Sequence, residues 1–243
     1  MKHVIIFNAP KASGKDEAVK ILQEINPQGV HLSFKDALFT STAEHFEVDR
    51  EEFIKIHNDR SKKELPTLLL PCPNMSTFTL LICILMYYIG KLVGSRDLMG
   101  LGFLSTREAL IHVSEDIYKP IHGNQYFGEL LAKSINELDH FSQVFISDGG
   151  FVDELYPILE LPDVKVTVVH LHREGCVYDS TDSRGFVTES QISHKNLQFL
   201  RLFNNGTIED LRKNLCFLYY DVIFDTTEEC DKVYGVINHE HNS

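Results

Sequence analysis

One run near the start of the chain, A-P-K-A-S-G-K-D at positions 9–16, constrains the fold more than any other. It follows the apolar V-I-I-F of residues 4–7. It precedes residues 17–25, where Ala18, Val19, Leu22 and Ile25 recur at helical spacing. Strand, loop and helix in that order, with G-K at the helix start, fit the phosphate-binding pattern G-x-x-x-x-G-K-[ST]. There backbone N–H groups and a helix N-terminus surround phosphate oxygens while the lysine neutralises their charge. Gly14 and Lys15 match. Ala9 stands where the first glycine is usual, and Asp16 replaces the hydroxyl residue that normally meets Mg²⁺. A helix start with an exposed lysine is the plainer alternative, but the flanking elements favour phosphate.

The rest of the chain extends the same alternation. Short apolar runs at 30–33, 144–147, 166–171 and 199–203 read as further strands, the third and fourth of the five being β-branched like buried parallel strands. Helical periodicity follows from Lys35, after the capping box S-T-R-E at 105–108, over 126–138 and over 208–218. Residues 44–63 read as a charged, solvated helical stretch, residues 174–196 as a polar flap, and residues 219–243 carry no assignable pattern. The expectation is one α/β domain of three layers, a mostly parallel sheet of about five strands with helices on both faces. Its ligand lies outside the carboxyl ends of the strands, where residues 8–16, Asp148 and Arg173 fall.

Charge narrows the partners. With 23 Lys and Arg against 35 Asp and Glu, the net charge is -12, which disfavours nucleic-acid backbones and anionic membranes. The five cysteines are scattered, as suits reduced thiols in a cytoplasmic protein. The first residues contain too short an apolar run for an export signal. Residues 66–90 carry no charge, yet their strongly apolar part is shorter than the roughly 20 residues of a membrane span. They are expected to form a buried helix.

Arg107, Arg173 and Arg184 each begin or follow a predicted element on the ligand face, and phosphoryl transfer needs such cations. Asp148, ending F-I-S-D, could hold Mg²⁺ or its waters, or act as a turn or cap aspartate beside Gly149 and Gly150. The H-L-H of residues 170–172 lacks a third ligand at a recognisable spacing, so structural histidines are expected there.

Taken in order, these motifs resemble those of the deoxynucleoside monophosphate kinases of tailed bacteriophages. The loop with Asp after Lys is similar, as are L-S-F-K-D-A-L at 32–38, S-T-R-E at 105–108 and N-Q-Y-F-G-E-L-L at 124–131. F-I-S-D at 145–148, V-V-H-L-H-R at 168–173 and N-N-G-T-I-E-D-L at 204–211 complete the series. The resemblance implies a P-loop nucleoside monophosphate kinase-like fold with an inserted monophosphate-binding region near 35–104 and a lid near 174–196. It implies ATP and Mg²⁺ as co-substrate and cofactor, with a deoxynucleoside monophosphate as small-molecule partner, for DNA precursor synthesis in the cytoplasm of a host cell. By the same resemblance Ala12, Ser13, Gly14, Lys15 and Asp16 line the ATP phosphates and Arg184 rides on the lid. Lys35, Arg107 and Asp148 serve the acceptor, Asp16 and Asp148 the metal, and Lys15, Arg107 and Arg173 the transfer itself. The family often has an arginine two residues after the strand-ending aspartate, where this chain has Gly150. A kinase of another phosphorylated acceptor such as phosphomevalonate, and a nucleotide-binding regulatory protein without turnover, are the rival readings. Neither nucleic acid nor membrane is expected as a partner, and a homodimer is left open.

Overall fold

The computed structural model describes residues 1–140, 142–178 and 185–224. In chain order the elements are β1 (Lys2–Asn8), α1 (Lys15–Ile25), β2 (Val30–Leu32), α2 (Phe34–His45), α3 (Arg50–Asn58) and β3 (Pro66–Pro71). Then come α4 (Thr77–Val93), α5 (Arg96–Met99), β4 (Phe103–Ser105), α6 (Thr106–Ile111), a π-helical segment (His112–Tyr118) and α7 (Lys119–His122). The chain continues through α8 (Tyr126–Asn136), β5 (Gln143–Gly149), α9 (Val152–Leu159), β6 (Val164–His172), β7 (Leu197–Phe203) and α10 (Ile208–Phe224). Contacts divide it into two compact units, Met1–Phe34 with Gly128–Ser243, and Lys35–Phe127.

The first unit is built on a five-stranded sheet in the order β2-β5-β1-β6-β7, with every pairing parallel. The three-layer α/β fold expected from the alternation is present. Side chains of β1 alternate between two cores, as a period of two requires. Val4 and Ile6 pack with Ile135, Ile158 and Val166 on one face. Ile5 and Phe7 pack with Leu22, Leu211 and Leu215 on the other. Buried on both faces, such a strand must be apolar throughout. Its one cation, Lys2, reaches the end of α8, where Nζ donates to the carbonyls of Ile135 and Asn136 at 2.8 Å each and satisfies acceptors the helix leaves over.

Within the polar segment 174–196, the described residues from 185 onward meet the sheet. Val187 and Ile192 are buried in the first core. Asn8 anchors this stretch to the sheet, since its amide donates to the Gly185 carbonyl at 2.9 Å and accepts from the Val187 N–H at 2.7 Å. Arg184 and residues 225–243 lie outside the described residues.

The second unit has a core of Phe39, Phe53, Leu70, Ala109 and Leu110 beside the two-stranded antiparallel sheet β3-β4. Within the stretch read as solvated, α3 is amphipathic, with Phe53 and His57 one turn apart and both buried. Residues 66–90 do not form a buried helix. Pro66–Pro71 is a strand, a cap at Ser76 starts α4, and that helix keeps only Gly90 fully buried. Its inner side packs on α5 and the β3-β4 sheet, with Tyr87 edge-on to Phe103 at 5.6 Å. Among the described residues no helix is long and apolar enough to cross a membrane.

Candidate functional site

From β1 the chain crosses by α1 to β2 on one side, whereas from β6 it continues to β7 on the other. The order therefore reverses between β1 and β6, and the crevice of an open α/β sheet lies outside those two carboxyl ends. The loop of residues 9–14 and Arg173 occupy that place.

The loop's shape follows from two residues of positive φ, Ala12 at 66° and Gly14 at 98°. Gly14 stands at the N-terminal cap position of α1 without a side-chain cap, so the first turn of the helix is left to a ligand or water. A Cβ on Gly14 would come within 2.5 Å of the Asn204 Nδ2. That same Nδ2 donates to the Ser13 carbonyl at 2.9 Å and holds the loop from behind. The Ser13 hydroxyl is buried with no hydrogen-bond partner among the described residues. An orphaned buried hydroxyl within an anion-shaped loop fits a phosphate oxygen. Lys15 folds its Nζ onto the carbonyls of Ala9 and Pro10 at 2.6 Å each, a position over the loop from which a phosphate could draw it. Arg173 is exposed just beyond β6, its Nη1 3.5 Å from the Ala12 carbonyl. Asp16 is exposed on the first turn of α1.

Asp148, at the end of β5, is nearly buried. Its carboxylate accepts from the Ser33 hydroxyl at 2.7 Å and from the Phe34 N–H at 3.1 Å, so it supplies the start of α2 with a cap from a neighbouring strand. Gly149 beside it could carry no side chain without displacing Ile6, whose Cγ2 would lie 2.3 Å from the new Cβ.

The Nε2–H of His170 donates to the Val187 carbonyl at 2.7 Å. His172 stacks between Phe186 and Phe203, at centroid distances of 4.7 and 5.3 Å. Burial pushes the pKa of each downward. Among the described residues no group of three His, Cys, Asp or Glu is placed to hold a metal, and these rings serve the packing of the segment after Gly185.

In the second unit cations gather separately. His57 of α3 is 7% exposed, packs edge-on against Phe39 at 5.1 Å, and has an Nδ1 without a hydrogen-bond partner among the described residues. Burial, then the charges of Lys63, Lys35 and Arg107, bring its pKa down to about 4. Three cations from three segments thus act together to disfavour a charge on one imidazole, in a chain whose net charge is -12. The capping box of Ser105 and Glu108 fixes the start of α6, and the Arg107 N–H reaches the Lys63 carbonyl at 3.4 Å. Arg107 also pairs with Glu64 at 3.3 Å in an exposed contact, which holds it only weakly. Sequence reasoning placed Lys35 and Arg107 together but passed over His57 and Lys63. The i, i+4 spacing of Phe53 and His57 was the available signal.

No protein-family model matches the chain, and no curated protein matches it. Similar solved structures include two that cover nearly the whole chain. TT1252 from Thermus thermophilus is 16% identical, with 91% of this chain and 97% of that one covered and a TM-score of 0.38. A dephospho-CoA kinase from Campylobacter jejuni is 13% identical, with 93% and 100% covered and a TM-score of 0.37.

Proposed function

We propose that the chain is a phosphotransferase that passes the γ-phosphoryl of ATP to a small phosphorylated acceptor, with a deoxynucleoside monophosphate as that acceptor. The observation that carries this reading is the loop itself. Lys15, the uncapped start of α1 and the orphaned Ser13 hydroxyl converge outside the β1 end at the reversal of strand order.

On this reading Lys15 leaves the Ala9 and Pro10 carbonyls for the phosphates, and Arg173 stands beside the loop to meet charge that shifts during transfer. Catalysis of this kind is positioning plus electrostatics and needs no covalent intermediate. Lys35 and Arg107, with Lys63, supply the positive field for an acceptor monophosphate. The dry environment of His57 keeps its ring neutral, so it adds no competing proton. Mg²⁺, which accompanies nucleotide phosphates and needs only one or two protein carboxylates, supplies charge neutralisation when bound. Asp16 is free to face it, whereas both oxygens of Asp148 already accept hydrogen bonds and suit a role through water.

The test is an acceptor panel with ATP and Mg²⁺, comprising the four deoxynucleoside monophosphates, their ribose counterparts and phosphomevalonate, read by ADP release and by product. Diphosphate formed from a deoxynucleoside monophosphate is the expected result. ATP binding without turnover on any acceptor would overturn the kinase reading, and turnover confined to phosphomevalonate would overturn the acceptor.

A further inference from the structure

Helix α4 is apolar on two sides. Cys83, Ile84, Tyr87 and Gly90 face inward, and Gly90 lies so close to α5 that a Cβ would meet the Met99 N at 2.8 Å. The other side stands in solvent, with Phe78 74%, Leu81 61%, Leu85 61%, Tyr88 52% and Leu92 87% exposed. Those five residues step by three, four, three and four, the spacing of a seam between two helices. Ile82, Ile89 and Val93 flank them, and all eight fall within about 140° of the helix at 100° per residue. Their exposed fractions amount to about 900 Å², taking roughly 150–220 Å² for each fully exposed residue. A typical monomer's largest apolar patch is about 300–600 Å², and one side of a standard interface is about 800 Å².

We infer that this face is the seam of a homodimer, in which α4 of one copy packs against α4 of a second copy about a two-fold axis. Helical spacing selects a helix as the occupant, and a two-fold pairing provides the same stripe on both sides without any other partner. A lipid surface is a poorer fit. Between Ser76 and Gly94 the only charge is Lys91, so the helix lacks the basic polar face of an interfacial anchor, and the chain's charge of -12 repels anionic headgroups. At 17 residues α4 does not span a bilayer. Leu85 is the middle residue of α4, so it meets its own counterpart whether the two helices run parallel or antiparallel.

Sedimentation equilibrium or light scattering on the full chain at about 10 μM tests this. The expected mass is twice 27.8 kDa. Leu85→Glu should return it to 27.8 kDa, with far-UV circular dichroism unchanged because the position is already exposed. Leu92→Glu should act alike and guards against a single misfolded variant. An equimolar mixture of Leu85→Glu and Leu85→Lys should regain the doubled mass, since opposite charges then face each other across the axis. A monomeric wild-type chain would overturn the inference, as would a dimer indifferent to both glutamates. Binding of a wild-type monomer to phosphatidylcholine vesicles would assign the face to lipid and overturn it likewise. None of these readings depends on catalytic activity.

Discussion

Replacing His57 by phenylalanine removes the most strongly shifted histidine of the second unit, and its effect on stability should depend on pH in a calculable way. The pKa in the folded chain is about 4 against 6.5 for an ordinary histidine. Between those values the unfolded chain binds a proton that the folded chain refuses. Stability therefore rises with pH across the window and is lost as pH falls from about 6.5 toward 4. At about 1.36 kcal/mol for each unit of difference, the loss between pH 7 and pH 5 comes to about 2 kcal/mol. Phenylalanine keeps the ring contact with Phe39 and cannot titrate. Urea melts followed by circular dichroism at both pH values, for wild type and His57→Phe, isolate the contribution, because His170, His172 and the carboxylates titrate alike in both proteins. The wild type should lose about 2 kcal/mol more than the variant on going from pH 7 to pH 5. Profiles parallel to within about 0.5 kcal/mol would refute the reasoning and place the ring in contact with water. If Lys35, Lys63 and Arg107 take up an acceptor phosphate, its charge opposes theirs, and the wild-type profile should flatten in the acceptor's presence.

Two further outcomes bear on the loop. Lys15→Ala should lower turnover about a hundredfold or more while leaving circular dichroism unchanged, since its charge acts most as negative charge moves during transfer; undiminished turnover would remove the loop from the mechanism. Gly14→Ala combines a left-handed backbone, at about 1 kcal/mol or more, with displacement of the Asn204 amide from the Ser13 carbonyl, at about 1 kcal/mol. The melting temperature should fall by roughly 5 °C, and an unmoved melting temperature would mean that Asn204 yields without cost.

Legibility in the sequence varied with how local the cause was. The β1 strand, the loop and α1 were readable because a fully buried strand must be apolar throughout and a glycine at positive φ announces the turn. The placing of Asp148 and Arg173 at strand ends followed from the same alternation. What escaped depended on neighbours distant in sequence. Nothing around residues 204–206 says that Asn204 will reach back to Ser13, nor anything near Asn8 that its amide will hold Gly185 and Val187. Val187 and Ile192 are two apolar residues in a polar stretch, too few for a period, yet the core takes both. The error over residues 66–90 had another source. Hydropathy measures the tendency to leave water, and α4 has that tendency on both sides, but a helix whose inner side alone is covered leaves the other exposed.

The position of β1 within the sheet carries a practical consequence. Its backbone is bonded along both edges, to β5 and to β6, so its amides should exchange with solvent only when the whole first unit opens. The loop of residues 9–14 hangs directly from this last segment to come apart. A ligand gripping the loop is therefore coupled to the global unfolding of that unit and not to some local fraying. At a hundred times its Kd such a ligand adds about 2.7 kcal/mol, roughly 5–10 °C in melting temperature for a chain of this size. Candidate nucleotides and acceptors can thus be ranked by heating the unlabelled protein with each in turn, independently of any turnover.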